Sequence, residues 1–193
     1  MEIEENSDIH PNNTLTIAAW INFESGGIAN PYPVSGGGYE IATTGTGTTR
    51  QYIIAITTGG PHIHCYSNAQ IQADEWHFIT GTYDGAKLKL YIDGILDNST
   101  DLSGDINNFG NLYFGKRYNN VDIFKGKIAQ FQIWDYELNQ SEIQSYMSTS
   151  PSGSESGLVG YWKFNAGTGT TLYDHSGNGN NGTINGATWI QNP

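Results

Sequence analysis

The sequence predicts an all-β fold, a sandwich or barrel of short antiparallel strands. Composition, alternation and turn chemistry each point there. Of 193 residues only 14% are charged, 12% are aromatic and 25 are glycine. A disordered chain would be charge-rich and poor in aromatics, and a helical bundle would carry more Ala, Leu, Glu and Lys. Apolar residues recur at every second position in short runs, and Gly, Asn and Asp punctuate the gaps between them.

The elements follow in chain order. Leu15, Ile17, Ala19, Ile21 and Phe23 share one face of a run over 14–23, with Thr16, Ala18, Trp20 and Asn22 opposite. Similar runs cover 52–57, 63–66, 76–83, 87–92, 112–115, 128–134 and 159–164. Asp84-Gly85 and Asp93-Gly94 end two of these runs as tight turns, where glycine accepts positive φ at little cost. One short helix is predicted over 140–147. Asn139 caps it, Glu142 reciprocates in a capping box, and Leu138 with Ile143 forms a hydrophobic staple. Residues 148–154 read as a Ser-rich linker ahead of a tail of about forty residues, too few for an unstapled core of their own. The chain therefore reads as one domain, 1–193, with 157–193 completing the same sandwich.

Several segments together resemble a known family. They are Leu15-Thr16-Ile17-Ala18-Ala19-Trp20-Ile21, Glu75-Trp76-His77-Phe78 leading to Thr82-Tyr83-Asp84-Gly85, Leu90-Tyr91-Ile92-Asp93-Gly94, and Gly126-Lys127-Ile128-Ala129-Gln130-Phe131. Gly157 to Phe164, Tyr173 to Asn180 and Gly186-Ala187-Thr188-Trp189 complete the set. In combination they resemble the laminin-G-like, concanavalin A-like lectin/glucanase jelly rolls of bacterial secreted proteins. The resemblance implies a two-sheet antiparallel jelly-roll sandwich. In many relatives the Trp-Lys-Phe and Ser-Gly-Asn-Gly-Asn segments precede the strand matching 14–23. Here they come last, as in a circular permutation or a cut from a tandem array, which close chain termini allow.

Charge and cysteine usage limit the chemistry. Eight Lys and Arg against nineteen Asp and Glu give a net charge of −11, which disfavours nucleic acid and anionic membrane surfaces as partners. The single cysteine, Cys65, makes no internal disulfide and no thiolate zinc cluster, and reads as a buried strand residue. No apolar run is long enough to span a membrane. The first residues lack a signal-peptide pattern, so an export signal is expected to lie outside this chain.

The best local motif is Asp174-His175-Ser176-Gly177-Asn178-Gly179-Asn180. Side-chain oxygens at Asp174, Ser176 and Asn178, a turn at Gly177 and the Asn180 carbonyl match the first half of a Ca²⁺ loop. Asn185 stands where a closing carboxylate belongs, so a second charge would come from Asp8, Asp135 or Glu5. The alternative is an Asx-turn loop in which Asp174 accepts backbone N–H groups. Gly177-x-Gly179-x-x-Gly182 lacks the strand and helix of a dinucleotide site. His62 and His64 share a strand face, without a third ligand in view, and read as solvent-facing.

No string supplies the facing carboxyls of a glycosidase; Glu40 stands isolated between Tyr39 and Ile41. The five tryptophans, Trp20, Trp76, Trp134, Trp162 and Trp189, are expected to pack the core or seal its edges. Tyr32, Tyr39, Tyr66, Phe109 and Tyr118 fall near Gly/Asn-rich connections, where aromatic platforms suit sugar rings. Lys116-Arg117-Tyr118-Asn119-Asn120 is the most binding-like loop. Tyr32, Tyr39, Arg117, Tyr118, Asn119 and Asn120 are thus the expected ligand-binding residues, and Asp174, Ser176, Asn178 and Asn180 the expected ligands of a structural Ca²⁺. The sequence reads as a non-catalytic carbohydrate-binding module of a secreted or cell-surface protein. An adhesion or protein-interaction module is the alternative, and a glucanase-type hydrolase fits less well.

Overall fold

The computed structural model describes residues 1–193 other than 6–8, 27–30, 46, 118–121 and 191–193. In chain order the strands are β1 (Glu2–Ile3), β2 (Leu15–Phe23), β3 (Val34–Ser35), β4 (Tyr39–Thr44), β5 (Thr49–Ile56), β6 (Ile63–Tyr66), β7 (Ile71–Gln72) and β8 (His77–Tyr83). Then come β9 (Lys87–Ile92), β10 (Ile95–Asp101), β11 (Leu112–Phe114), β12 (Gly126–Trp134), the helix α1 (Gln140–Ser148), β13 (Leu158–Trp162), β14 (Thr171–Leu172) and β15 (Gly182–Thr183). They form two antiparallel sheets, a jelly-roll sandwich. One sheet runs β14-β15-β1-β11-β3-β4-β5-β6, with β7 also on β5; the other runs β10-β9-β8-β2-β12-β13.

The main core lies between the sheets. Ile17, Ile79, Leu90, Phe131 and Ile133 from the six-stranded sheet meet Ile41, Tyr52, Ile54 and Phe114 from the nine-stranded sheet. The sheets come close where β8 crosses β5: a Cβ on Gly81 would sit 2.5 Å from the Ile54 side chain. Only glycine fits such an approach. A second apolar cluster, with Ala18, Phe78 and Trp134 against Leu138 and Ile143, covers the outer face of the six-stranded sheet with α1. The strand β2 is therefore buried on both faces, and its alternation separates two cores rather than core from solvent.

The helix starts as expected. The Asn139 side chain accepts from the Glu142 N–H, and the Glu142 carboxylate accepts from the Asn139 N–H. Asp93 and Gly94 both take positive φ, 51° and 73°, the geometry of a two-residue hairpin turn. His77 Nδ1 lies 2.7 Å from Asp93 Oδ2, and the Phe78 N–H donates to Asp93 Oδ1, so the turn is bolted to β8.

The structure adds strands at 39–44 and 95–101 that alternation does not pick out. It also corrects two expectations about aromatics. Trp134 and Trp162 are fully buried, but Trp76 is 37% exposed. Tyr39 is no loop platform. It begins β4 with its ring in the inter-sheet core, and its hydroxyl donates to the Ile9 carbonyl at 2.9 Å.

Candidate functional site

Pairing registers lay one row of residues straight across the outer face of the nine-stranded sheet. It runs Thr183, Glu2, Tyr113, Ser35, Glu40, Ala55, His64. Side chains alternate along a strand, so with Tyr39 and Ile41 in the core, Glu40 points outward; the same holds for His64 beside Cys65. The helix α1 covers the other sheet, so the groups above this row come from loops.

Two of the expected ligand residues meet there. The Arg117 guanidinium sits over the Tyr32 ring, 4.8 Å from its centroid, a cation–π contact. Its Nε lies 3.7 Å from Glu40 Oε1. Although it belongs to the outer face, Glu40 is only 2% exposed. Burial raises its carboxyl to about 7, a rise that the nearby Asp122 charge reinforces and Arg117 and the Ser35 hydroxyl oppose. Burial also raises the Tyr32 hydroxyl. His64 and the exposed Tyr66 stand edge to face at 5.8 Å on the rim strand β6. Burial lowers the values of His62 and His64, and the Arg117 charge lowers both further, so both imidazoles favour the neutral form.

Tyr118, Asn119 and Asn120 lie outside the described residues. Sequence reasoning missed Glu40, which it set aside as isolated, and Ser35. Period two across Tyr39, Glu40 and Ile41 is the signal that could have placed the carboxyl on a sheet face. A separate cavity of about 500 Å³ lies where Met1, Phe114, Phe124, Phe164 and Trp189 meet, and none of the expected ligand residues lines it.

The Asp174 loop does not fit a hard cation. Asp174 Oδ1 accepts from the Tyr161 and Ser176 N–H groups, at 3.0 and 2.9 Å. Oδ2 accepts from the Ser176 hydroxyl at 2.8 Å and the Asn180 N–H at 2.9 Å. Asn178 turns its amino group to the Leu158 and Val159 carbonyls, and Asn180 turns its own to Val159. The Asn180 carbonyl takes the Trp162 indole N–H. The oxygens meant for a metal are committed to N–H and O–H donors, and the amides present donors. Asp8 lies outside the described residues, and among the described residues no group of three His, Cys, Asp or Glu side chains could hold a metal. The melting midpoint is expected to be the same in chelator and in millimolar Ca²⁺. Asp174→Ala, which strands several buried donors, should lower stability by about 2 kcal/mol. A chelator-dependent midpoint in the wild type would restore the cation.

Comparisons with known proteins agree with this architecture. A candidate carbohydrate-binding protein from Bacteroides ovatus shares the fold over 98% of this chain and 61% of its own, with a TM-score of 0.70 and 16% identity. Domain 4 of the extracellular arabinanase AbnA of Geobacillus stearothermophilus, solved with arabinotriose, matches over 75% of this chain and 71% of its own (TM-score 0.59, 16% identity). The Rattus norvegicus sushi, von Willebrand factor type A, EGF and pentraxin domain-containing protein 1 is 35% identical over 99 residues. That alignment covers 45% of this chain and 3% of the rat protein. Residues 2–144 match the laminin-G family model described as the concanavalin A-like lectin/glucanases superfamily, and the chain belongs to that family.

Proposed function

We propose that this chain is a non-catalytic carbohydrate-binding module of a secreted or cell-surface protein, and that it binds neutral glycans on the outer face of the nine-stranded sheet. The observation that carries this reading is the convergence above β4 and β6. Arg117 on Tyr32, the buried Glu40 carboxyl, and the His64–Tyr66 pair come from four separate stretches of sequence onto one patch. Tyr66 and His64 offer a rim on which a sugar's C–H face can stack, and the polar groups offer partners for hydroxyls. Support also comes from the arabinotriose complex of a domain with the same fold.

A net charge of −11 repels strongly anionic polysaccharides. Shallow sites of this kind bind at about millimolar to micromolar Kd, ~4–8 kcal/mol. Screening on a glycan array followed by calorimetry should find a neutral oligosaccharide in that range, and Tyr66→Ala should weaken it about tenfold, a loss of ~1.4 kcal/mol. Silence across a broad array, with capture of a protein partner instead, would hand the chain to the adhesion reading.

A further inference from the structure

Glu40 carries a second, more specific message. Its side chain is 2% exposed, yet both of its described contacts fall on one oxygen. The Ser35 hydroxyl reaches Oε1 at 3.4 Å and Arg117 Nε stands at 3.7 Å from the same atom. Charge-assisted hydrogen bonds are normally about 2.7–2.9 Å, so neither contact is tight. Among the described residues Oε2 has no partner. Oε2 is not one of the fully buried side-chain atoms left without a partner, so it keeps an edge towards solvent, open to a donor.

The surroundings say which donor suits it. Arg117 and Asp122 act on Glu40 from beyond β11, Tyr32 from the loop before β3 and Ser35 from β3, while Tyr113 and His64 stand two strands away on either side in the same row. A cationic ligand would meet Arg117, and an anionic one would meet both Glu40 and Asp122. What remains is a neutral donor, and on the glycan reading above, on which this inference rests, that donor is a sugar hydroxyl.

We propose that Glu40 is the sugar-recognition residue of this face, accepting hydrogen bonds from two hydroxyls of a neutral sugar while Arg117 and the Tyr32 ring frame the same sugar from the loop side. Hydroxyls donate to the ionised carboxyl, so binding and ionisation are linked. With the free carboxyl at about 7, affinity rises as pH climbs through neutrality and is lost on acidification. His62 and His64, held below their usual 6.5, protonate later in an acid titration.

The test is calorimetry with arabinotriose, xylotriose and cellotriose at about pH 8 and pH 5, on wild type and Glu40→Gln. The wild type should bind at least ~10-fold more weakly at the lower pH, and Glu40→Gln should bind weakly at both. As a second readout, ¹³C NMR of the Glu40 carboxyl should show its titration moving to lower pH when the sugar is saturating. A pH-independent wild-type affinity, or an unmoved carboxyl titration with sugar bound, overturns the role of Glu40 and leaves the glycan reading standing. No binding of any of the three sugars by either protein at pH 8 overturns both.

Discussion

A chain cut after Ser154 is expected to lose its cooperative melting transition. The segment removed lies beyond the region that matches the family model, yet its strands belong to both sheets. β13 pairs with β12, setting Trp162 opposite Phe131, and β15 pairs with β1 through Thr183 and Glu2. Trp162 is fully buried, stacked on Phe131 at 5.9 Å and tilted against Phe114 at 6.0 Å. Leu158, Tyr161 and Leu172 are buried with it. At ~1.5–3 kcal/mol for each large apolar side chain, these four contribute on the order of 10 kcal/mol. That rivals the whole stability of an ordinary domain, about 5–15 kcal/mol. Circular dichroism and calorimetry of the truncated chain should therefore report a molten or insoluble product. A sharp transition near the full-length midpoint would mean that 157–193 is an appendage and the sandwich is complete without it.

Replacing Glu40 by glutamine should make the protein more stable near pH 8. An acid whose value is raised on folding binds its proton more tightly in the folded state. Stability from this group is then complete below the unfolded value of 4.5 and falls as pH rises towards about 7. Holding the ionised carboxyl under its loops costs about 3 kcal/mol above that window. Glutamine keeps the shape without the charge, so the midpoint should rise by roughly 5–10 °C at pH 8 and change little at pH 4. Equal shifts at both pH values, or a lower midpoint at pH 8, would rule out burial of the charge as the cause. An enduring cost at one strand position is what a binding group, kept for its ligand, would impose.

Strands with an alternating apolar face were legible from sequence because their burial is local, as in β2, β8, β9 and β12. Two were not. β10 is the polar edge strand Ile-Leu-Asp-Asn-Ser-Thr-Asp, and it exists because the Asp93-Gly94 turn folds it back along β9. β4 follows three glycines and carries Glu40 and two threonines, so it resembles a loop. Its outward Glu40 lies beneath Arg117, which arrives from far along the chain and rests on Tyr32. The candidate site was half legible for the same reason. Arg117 and Tyr32 could be singled out as residue types, but their convergence on Glu40 depends on sheet register. The Asp174 loop misled in the other direction: its oxygen spacing is local and suggests a cation, whereas its oxygens are taken by the loop's own Ser176 and Asn180 donors and by Tyr161 and Trp162 of β13.

That loop has a further consequence for how the protein behaves beside its own copies. β13 is the last strand of its sheet, and a terminal strand normally offers a ladder of unpaired amides and carbonyls to any passing chain. Here the Leu158 and Val159 carbonyls and the Tyr161 amide are already engaged by Asn178, Asn180 and Asp174. The loop imitates an additional strand with side chains, which cannot itself be extended. Growth of the six-stranded sheet into a fibril by strand addition is blocked at that margin, and short polar side chains provide the block.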